Sequence, residues 1–397
     1  MRPSVLGLVA DDLTGAGDSA VGFAAAGWTA VLALRATRLR LPAATGPVVL
    51  AVSTGARAAP DDEAAARTAA AVDALVAAGA ERLYVKIDST VRGSVAGQVD
   101  GALSAWSRHQ PGAHALVCPA FPAQRRTVVD GEVLVAGRPL AESAAALDPV
   151  TPRLDGDLGR VVPGAVRRPV GDLGAAAPGT RLVVDARDED ELDRIARTAD
   201  AAGADLVLVG SGGLAAALGR VWSSPLARPT TPPFAGRVLV AVSSLHPAAL
   251  DQVGWLRNLA AAGVDVLTTP PEVVSPQAAA RDLAGRVGDA LATRAYDALV
   301  LVGGDGAAAV LDRLEADGVD VDGAVVPGCP TGTVTGGPAH GLRLVTKSGG
   351  FGDTSALDAI VRGLRDPAAP PAPAGSDRPH PLRHPDAAPR PTPKEAR

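Results

Sequence analysis

Short runs of apolar residues, many of them β-branched, alternate along the chain with longer alanine-rich segments of helical period. The apolar runs predict strands at Val5–Val9, Val48–Val52, Leu83–Ile87, Ala115–Val117, Leu182–Asp185, Leu206–Val209, Arg237–Val242, Val264–Leu267, Ala298–Val302 and Leu342–Thr346. The alanine-rich segments predict helices at Asp61–Ala78, Glu189–Ala202, Gly213–Trp222, Pro247–Ala262, Pro276–Ala292 and Gly306–Leu314. Because strands that are apolar throughout are buried on both faces, the pattern predicts an α/β protein with largely parallel sheets flanked by helices.

Proline-rich segments divide the chain into two folded parts and a tail. Ser223–Phe234 carries four prolines and no periodicity, which is typical of a linker between domains. We therefore expect one domain at residues 1–222 and a second at residues 235–365, each with its own sheet. Residues 366–397 are rich in proline and keep no apolar period, so we expect this tail to be disordered.

Composition and charge exclude several classes of protein. The net charge of −5 offers no basic surplus for nucleic acid. No stretch approaches the ~20 apolar residues that a membrane helix needs. Cys118 and Cys329 lie far apart and in no metal-like spacing, which favours free thiols in a reducing compartment over a disulfide. The first apolar run leads straight into two aspartates, as in a first strand and not a signal peptide. We expect a cytoplasmic protein.

Several common catalytic motifs are missing from the sequence. It has no GxxxxGK[ST] phosphate loop, no protein-kinase HRD and DFG pair, and no GxSxG nucleophile turn. His109 and His114 have no nearby thiolate, which argues against zinc. A dinucleotide-binding oxidoreductase is disfavoured as well, because no GxGxxG with a downstream acid is present.

The first segment with candidate chemistry is Ala10–Asp18, ADDLTGAGD, which follows the first strand and precedes a helix. Ligands of open α/β sheets bind at the carboxyl ends of strands. Asp11 and Asp12 could orient hydroxyls, accept a proton or hold Mg²⁺ there. The same residues could instead do no more than cap the helix.

The second segment, Lys86–Gly93, has the sequence KIDSTVRG and also follows a strand. Arg92 can hold a carboxylate with two parallel hydrogen bonds, Ser89 can bind sugar hydroxyls, and Asp88 is a candidate general base. A capped helix start with a surface ion pair is the alternative. The density of polar groups after an apolar strand favours a site.

The third segment, Cys118–Gly131, combines two prolines that fix a loop with a pair of arginines, Arg125 and Arg126. The arginines could bind an anion. A rigid connector with exposed arginines explains these residues equally well.

Glycine-rich turns follow three strands of the second domain. Val302–Gly306 (VGGDG) leads into a helix, and backbone amides at such a turn can bind phosphate. Lys347–Gly352 (KSGGFG) and Ser243–Pro247 (SSLHP) follow other predicted strands of the same domain. Together they favour a nucleotide site, although each could be a simple tight turn. For the similar turn Gly210–Gly213 in the first domain, a role in closure and a role in packing both remain open.

Taken in order, ADDLTGAGD, KIDSTVRG, PAFPAQRRTV, SSLHP, VGGDG and TKSGGFGD resemble the motifs of the four-carbon acid sugar kinases, from about Val5 to Leu364. The resemblance implies a sugar-acid-binding domain at residues 1–222 and a nucleotide-binding domain at residues 235–365. Members phosphorylate the terminal hydroxyl of threonate, erythronate or a 3-oxo-tetronate. We therefore expect ATP and Mg²⁺ as cofactors, a small sugar acid as substrate and, as one option, a homodimer.

The resemblance also suggests roles for individual residues. Asp12 and Asp88 are the catalytic candidates, either of which could accept the hydroxyl proton. The candidates for binding the sugar acid are Asp11, Arg57, Lys86, Ser89, Arg92 and Arg126. The candidates for binding ATP are Ser244, Gly303, Gly304, Asp305, Gly306, Gly349 and Gly350.

The sequence departs from the family pattern at a few positions. Gly306 replaces a threonine of the usual GGDT turn, and Ser243 replaces the glycine of GSLHP. Ser53 stands where an acid is usual, and Gln98 where a glutamate is common. These changes leave a catalytically weakened sugar-acid sensor as an alternative. A ribokinase-like sugar kinase, with its catalytic aspartate in the GGDG turn, is a second alternative.

Overall fold

The computed structural model describes residues 3–143, 146, 151–225, 236–270 and 275–366. Its strands are β1 Val5–Ala10, β2 Thr29–Ala33, β3 Val48–Ser53, β4 Arg82–Lys86, β5 His114–Cys118, β6 Arg126–Val129, β7 Glu132–Val135, β8 Arg138–Pro139, β9 Val166–Arg167, β10 Arg181–Val183, β11 Leu206–Gly210, β12 Val238–Val242, β13 Val264–Thr268, β14 Ala298–Val302, β15 Gly318–Val326, β16 Cys329–Thr335 and β17 Arg343–Lys347. Its helices are α1 Leu13–Ala24, α2 Asp61–Ala77, α3 Val95–Trp106, α4 Leu158–Val161, α5 Glu189–Ala202, α6 Gly212–Val221, α7 Pro247–Asn258, α8 Pro276–Thr293, α9 Gly304–Arg313 and α10 Ala356–Arg365. Most of the expected linker and all but the first residue of the expected tail lie outside the described residues.

The N-terminal half forms parallel strands in the order β2-β3-β1-β4-β11-β5-β10-β9, while β6, β7 and β8 form a small separate sheet. β1 pairs with β3 on one side and β4 on the other, so the direction of winding reverses at β1. Such a reversal opens a crevice at the carboxyl ends of the strands. Ala10 and Lys86, the last residues of β1 and β4, are paired in register. The two polar segments that follow them therefore start side by side.

The C-terminal half has a second set of parallel strands in the order β13-β12-β14-β17. Here the winding reverses at β12, which pairs with β13 and β14. Val242, Val302 and Lys347, the last residues of β12, β14 and β17, lie in register across the three strands. The three glycine- and serine-rich turns that were predicted to bind nucleotide therefore leave the sheet at one edge.

Two antiparallel strands that the sequence did not predict, β15 and β16, join the halves. β16 pairs with β17, and β15 lies between β16 and β2, so the strands form one continuous 14-stranded sheet. The prediction of an α/β fold with mostly parallel strands flanked by helices is confirmed. The difference is that the two expected sheets are continuous. Both new strands escaped prediction because Gly318, Gly323, Pro330 and Gly332 interrupt their apolar pattern.

Helix and cysteine predictions can be compared directly with the structure. The helix predicted over Pro247–Ala262 ends at Asn258, and Ala260 just beyond it takes a left-handed φ of 46°. Cys118 and Cys329 are both buried free thiols. No helix within the described ranges has the length and apolar character to span a membrane.

Candidate active site

A cavity opens where the carboxyl ends of β1, β4 and β11 meet the C-terminal half. It is lined from the N-terminal half by Asp12, Thr14, Gly15, Asp18, Arg57, Lys86, Asp88, Ser89, Thr90, Arg92, Phe121, Arg126, Ser211 and Gly212. From the C-terminal half it is lined by Gly328, Pro330, Thr346, Ser348 and Phe351. Seven of the eight residues predicted to bind or transform the sugar acid line this cavity, and Asp11 lies behind it.

Arg57 organises the aspartates that follow β1. Its Nε and Nη2 donate to the two carboxylate oxygens of Asp11 at 2.8 and 2.9 Å. Its Nη1 and Nη2 donate to those of Asp12, both at 2.9 Å. Asp12 also caps α1 by accepting from Gly15 N at 2.9 Å and from Thr14 Oγ1 at 2.6 Å. Asp12 therefore both caps helix α1 and forms part of the cavity wall.

The charge state of Asp12 follows from these contacts. Burial by itself would raise the pKa of its carboxyl, but the charges of Arg57 and Lys86 and the hydrogen bonds from Thr14 and Gly15 outweigh it and lower the pKa. Asp12 is therefore an anion at neutral pH.

Asp88 is held by a second arginine. Arg92 Nε and Nη2 donate to its two carboxylate oxygens, each at 2.9 Å, and Thr90 N donates at 3.0 Å. Arg57 Nη2 is 3.9 Å from the same carboxylate. Burial opposes ionisation, but Arg92 first and then Arg57 and Thr90 outweigh it, so the pKa of Asp88 lies well below its usual value.

Three predicted substrate-binding residues of the cavity wall make few or no hydrogen bonds to the described residues. Lys86 is buried, and within the described part of the chain its ammonium makes no hydrogen bond or ion pair. A Cβ placed on Gly15 would lie 2.8 Å from Lys86 Nζ, so this charge sits over the first turn of α1. The Nε of Arg126 is buried without a hydrogen-bond partner, and Ser89 is half-buried on the wall.

The predicted phosphate turn after β14 reaches the same place. Gly303 takes a φ of 104°, which favours glycine, and α9 begins at Gly304. A Cβ on Gly304 would lie 3.2 Å from Asp12 Oδ2 and 3.7 Å from Thr14 Oγ1. The N-terminus of α9, whose amides suit an anion, thus abuts the aspartate turn of the N-terminal half. Asp305, in the first turn of α9, is exposed.

The other predicted nucleotide residues converge on this turn. A Cβ on Gly349 would lie 2.0 Å from Ser244 Oγ, and one on Gly350 would lie 3.4 Å from His246 Nε2. The serine turn after β12 and the glycine turn after β17 are therefore in direct contact. The α9 turn joins them, because a Cβ on Gly303 would lie 3.2 Å from Ser244 N, so the three turns lie against one another at this edge of the sheet.

Gly306 and Ser243, two of the positions that depart from the family pattern, are in direct contact in the structure. A Cβ on Gly306 would lie 2.2 Å from Ser243 Cβ and 2.3 Å from Ser243 Oγ. Ser243 Oγ donates to Val302 O at 3.0 Å, so the hydroxyl stands at the entry to α9. The serine occupies the space that a larger residue at position 306 would need.

Sequence reasoning gave no role to some cavity residues. Asp18 stands inside the first motif, four residues after Thr14 and so on the same face of α1. Phe121 and Phe351 come from opposite halves and both line the cavity. The one signal in the sequence was helical spacing from Thr14, and nothing local marks the two phenylalanines.

Comparison with known proteins matches each half separately. Residues 6–218 match a family model described as a sugar-binding N-terminal domain. Residues 268–357 match one described as a nucleotide-binding C-terminal domain.

Relatives extend along nearly the whole chain. A D-threonate kinase of Bordetella bronchiseptica is 39% identical, and the alignment covers 91% of this chain and 98% of the relative. A 3-oxo-tetronate kinase of Brucella melitensis is 26% identical, covering 87% of this chain and 93% of the relative. A Bordetella bronchiseptica crystal structure, described as a domain of unknown function with bound citrate and as a domain-swapped dimer, is 38% identical with a TM-score of 0.51, covering 91% of this chain and 98% of that one.

Proposed function

Because the chain belongs to the four-carbon acid sugar kinase family, we propose that it transfers the γ-phosphoryl group of ATP to the terminal hydroxyl of a four-carbon sugar acid. Threonate, erythronate and 3-oxo-tetronate are the candidate acids. The observation that carries the proposal is the contact between the α9 turn and the aspartate turn, where a Cβ on Gly304 would come within 3.2 Å of Asp12. A phosphate bound at the N-terminus of α9 would face an acceptor bound in the cavity.

Arg126, Lys86 and Ser89 are the residues that we propose bind the acid. Arg92 donates two hydrogen bonds to Asp88, whereas Arg126 lines the same cavity and its Nε has no hydrogen-bond partner within the described residues. We therefore assign the substrate carboxylate to Arg126, with Arg92 and Asp88 fixing the wall beside it. Citrate, bound by the relative of known structure, is likewise a hydroxy acid.

ATP is proposed to bind at the three turns that hold Ser244, Gly303, Gly304, Gly306, Gly349 and Gly350. Glycine amides and a serine hydroxyl suit phosphate oxygens, and positioning is most of what phosphoryl transfer requires. Within the described residues no three His, Cys, Asp or Glu side chains cluster as a metal cage. A Mg²⁺ that arrives on the ATP phosphates would neutralise their charge, and Asp12, which lies beside Gly304 of the α9 turn, could provide it with a carboxylate oxygen.

The two alternatives receive less support. In the ribokinase-like reading the aspartate of the GGDG turn would be the base, but Asp305 is exposed and is not among the cavity residues. The sensor hypothesis rested on Ser53 and on the hydroxyl lost at Gly306, and the Ser243 hydroxyl stands in the space that a side chain at position 306 would take. A kinase therefore remains the better account.

The proposal is tested by a coupled ADP-release assay with Mg-ATP against threonate, erythronate and 3-oxo-tetronate. Turnover on one of these acids, with little ATP hydrolysis in its absence, is the expected result. No turnover on any of them, together with acid-induced thermal shifts, would point to the sensor instead.

Asp88→Asn is expected to lower kcat/KM for the acid by roughly tenfold or more, because an amide cannot hold both Arg92 donors and hydrogen bonds to charged groups contribute about 1.5–3 kcal/mol. ATP affinity, measured by calorimetry, should change little. Near-normal kinetics in this variant would remove Asp88 from the reaction centre.

Location and assembly are also proposals. The buried free thiols Cys118 and Cys329 suit a reducing compartment, and ATP is plentiful in the cytoplasm, where we place the reaction. A homodimer is supported by the relative described as a domain-swapped dimer.

A further inference from the structure

A further carboxylate, that of Asp18, lines the cavity without a partner. Asp11 and Asp12 are held by Arg57, and Asp88 is held by Arg92. Asp18, in contrast, makes no hydrogen bond or ion pair within the part of the chain that the structure describes. Unlike the oxygens of Asp12 and Asp88, the carboxylate oxygens of Asp18 are therefore not held by a described side chain and are available to a ligand in the cavity.

The side chain of Asp18 packs against the start of α6. A Cβ on Gly212 would lie 2.4 Å from Asp18 Oδ2, so the carboxylate packs directly against the first residue of the helix. Ser211 caps this helix, accepting from Gly213 N at 3.2 Å. The positive end of the helix stabilises a negative charge there. The glycine at position 212, for which the sequence left closure and packing open, makes room for this carboxylate.

Burial acts against this helix charge and favours proton uptake by Asp18. Burial raises the pKa of its carboxyl, the nearby charge of Asp12 adds to this, and Lys86 opposes it, with a net pKa above the usual value. Asp88 is the opposite case, because its arginine partner lowers the pKa and makes it a weak base. A base works best when its pKa lies near the working pH, so Asp18 suits the task better than Asp88 or Asp12.

We propose that Asp18 is the general base of the phosphoryl transfer, an inference that rests on the function proposed above. The Asp18 carboxylate takes the proton of the substrate hydroxyl, and the hydroxyl oxygen forms a bond to the γ-phosphorus. The bond between that phosphorus and the β,γ-bridging oxygen breaks, and ADP leaves. Lys86, whose ammonium is also without a partner among the described residues, offsets the charge beside the reacting oxygens. The proton passes to solvent when the phosphorylated acid is released.

The first test is Asp18→Asn in the full chain, assayed on the acid that the wild type phosphorylates. General-base catalysis contributes about 10²–10⁴-fold, so kcat should fall by at least about a hundredfold. The KM for the acid and the Kd for ATP should stay within about threefold. A kcat within tenfold of the wild type, with a matching thermal midpoint, would overturn the assignment.

A second readout is chemical rescue, which a merely structural residue would not give. In Asp18→Ala, added formate should restore part of the lost turnover by supplying a small carboxylate, and in Asp88→Ala it should not. Equal rescue of both variants, or of neither, would count against Asp18 as the base.

The pH profile adds a third readout. The titratable groups that interact with Asp18 are Asp12 from the turn before α1, Lys86 and Tyr84 from β4, and Cys329 from β16. Because a base must be ionised, wild-type kcat should fall as the pH falls through the pKa of Asp18, and this acid limb should vanish in Asp18→Asn. An unchanged limb would overturn the assignment. A wild type inert on every acid would overturn the proposed function as well, which separates the two failures.

Discussion

Gly306→Thr, which restores the usual family residue, is expected to abolish most of the kinase activity. The new Cβ would lie 2.2 Å from Ser243 Cβ, an atom that no rotamer change can move away. The start of α9 would have to shift, and overpacking of this kind costs about 1–3 kcal/mol. If the whole cost falls on the phosphate turn, it corresponds to a loss of roughly fivefold to 150-fold in kcat/KM for ATP.

Adding Ser243→Gly to Gly306→Thr should restore the activity. The next atom in the path is Ser243 Cα at 3.7 Å, which is ordinary contact distance, and the threonine hydroxyl would replace the serine hydroxyl. Ser243→Ala with Gly306→Ala is the matched control, because its remaining Cβ at position 243 should still clash. A Gly306→Thr variant with wild-type KM for ATP, or a double variant no better than the single one, would contradict this coupling.

Arg57→Met is expected to lose both activity and stability. The guanidinium makes two hydrogen bonds each to Asp11 and Asp12 and lies 3.9 Å from Asp88, so its loss leaves buried carboxylates uncompensated. Removing one partner of a buried pair costs about 3–5 kcal/mol of unfolding free energy. Arg57→Lys keeps the charge but cannot make two forked pairs, so it should recover only part of the loss.

Arg108→Met is the matched control for Arg57→Met, because its partner Asp73 and its own side chain are both half-exposed and such pairs contribute about 0–1 kcal/mol. The folded-state pKa of Asp12 is lowered, so the stabilisation by its charge is present above the usual carboxyl pKa and is lost as the pH falls through the folded value. Urea unfolding should therefore show a difference between wild type and Arg57→Met that is largest near neutral pH and narrows in acid. A difference independent of pH would argue against the charge cluster as its source.

The site was predictable from sequence to the extent that its residues stand at strand ends. Asp12 and Lys86 follow strands with clear apolar patterns, and the parallel pairing of β1 and β4 then sets them side by side. Arg57 was found only by resemblance to a family, since its own loop is unremarkable in composition. Its bonds to both aspartates depend on the path of that loop, which no local pattern encodes.

Contacts between segments that are distant along the chain could not be predicted from the sequence. In the sequence, Gly306 and Ser243 are two separate departures from the family pattern, whereas in the structure the larger residue at position 243 fills the space left at position 306. The β2–β15 pairing was likewise hidden, because Gly318 and Gly323 interrupt the strand that joins the halves. Asp18 was not predicted as a site residue because its distinguishing feature is that it makes no hydrogen bond or ion pair with the described residues. Only the three-dimensional structure shows this.

The central claim is that the cavity between the halves transfers phosphate from ATP to a hydroxyl of a four-carbon acid. The most direct measurement is ³¹P–¹H correlation NMR of a reaction of wild-type protein, Mg-ATP and the active acid. We expect ADP together with a new phosphate ester whose phosphorus couples to the protons of the terminal carbon. Inorganic phosphate as the only new phosphorus signal besides ADP, with the acid unchanged, would contradict it.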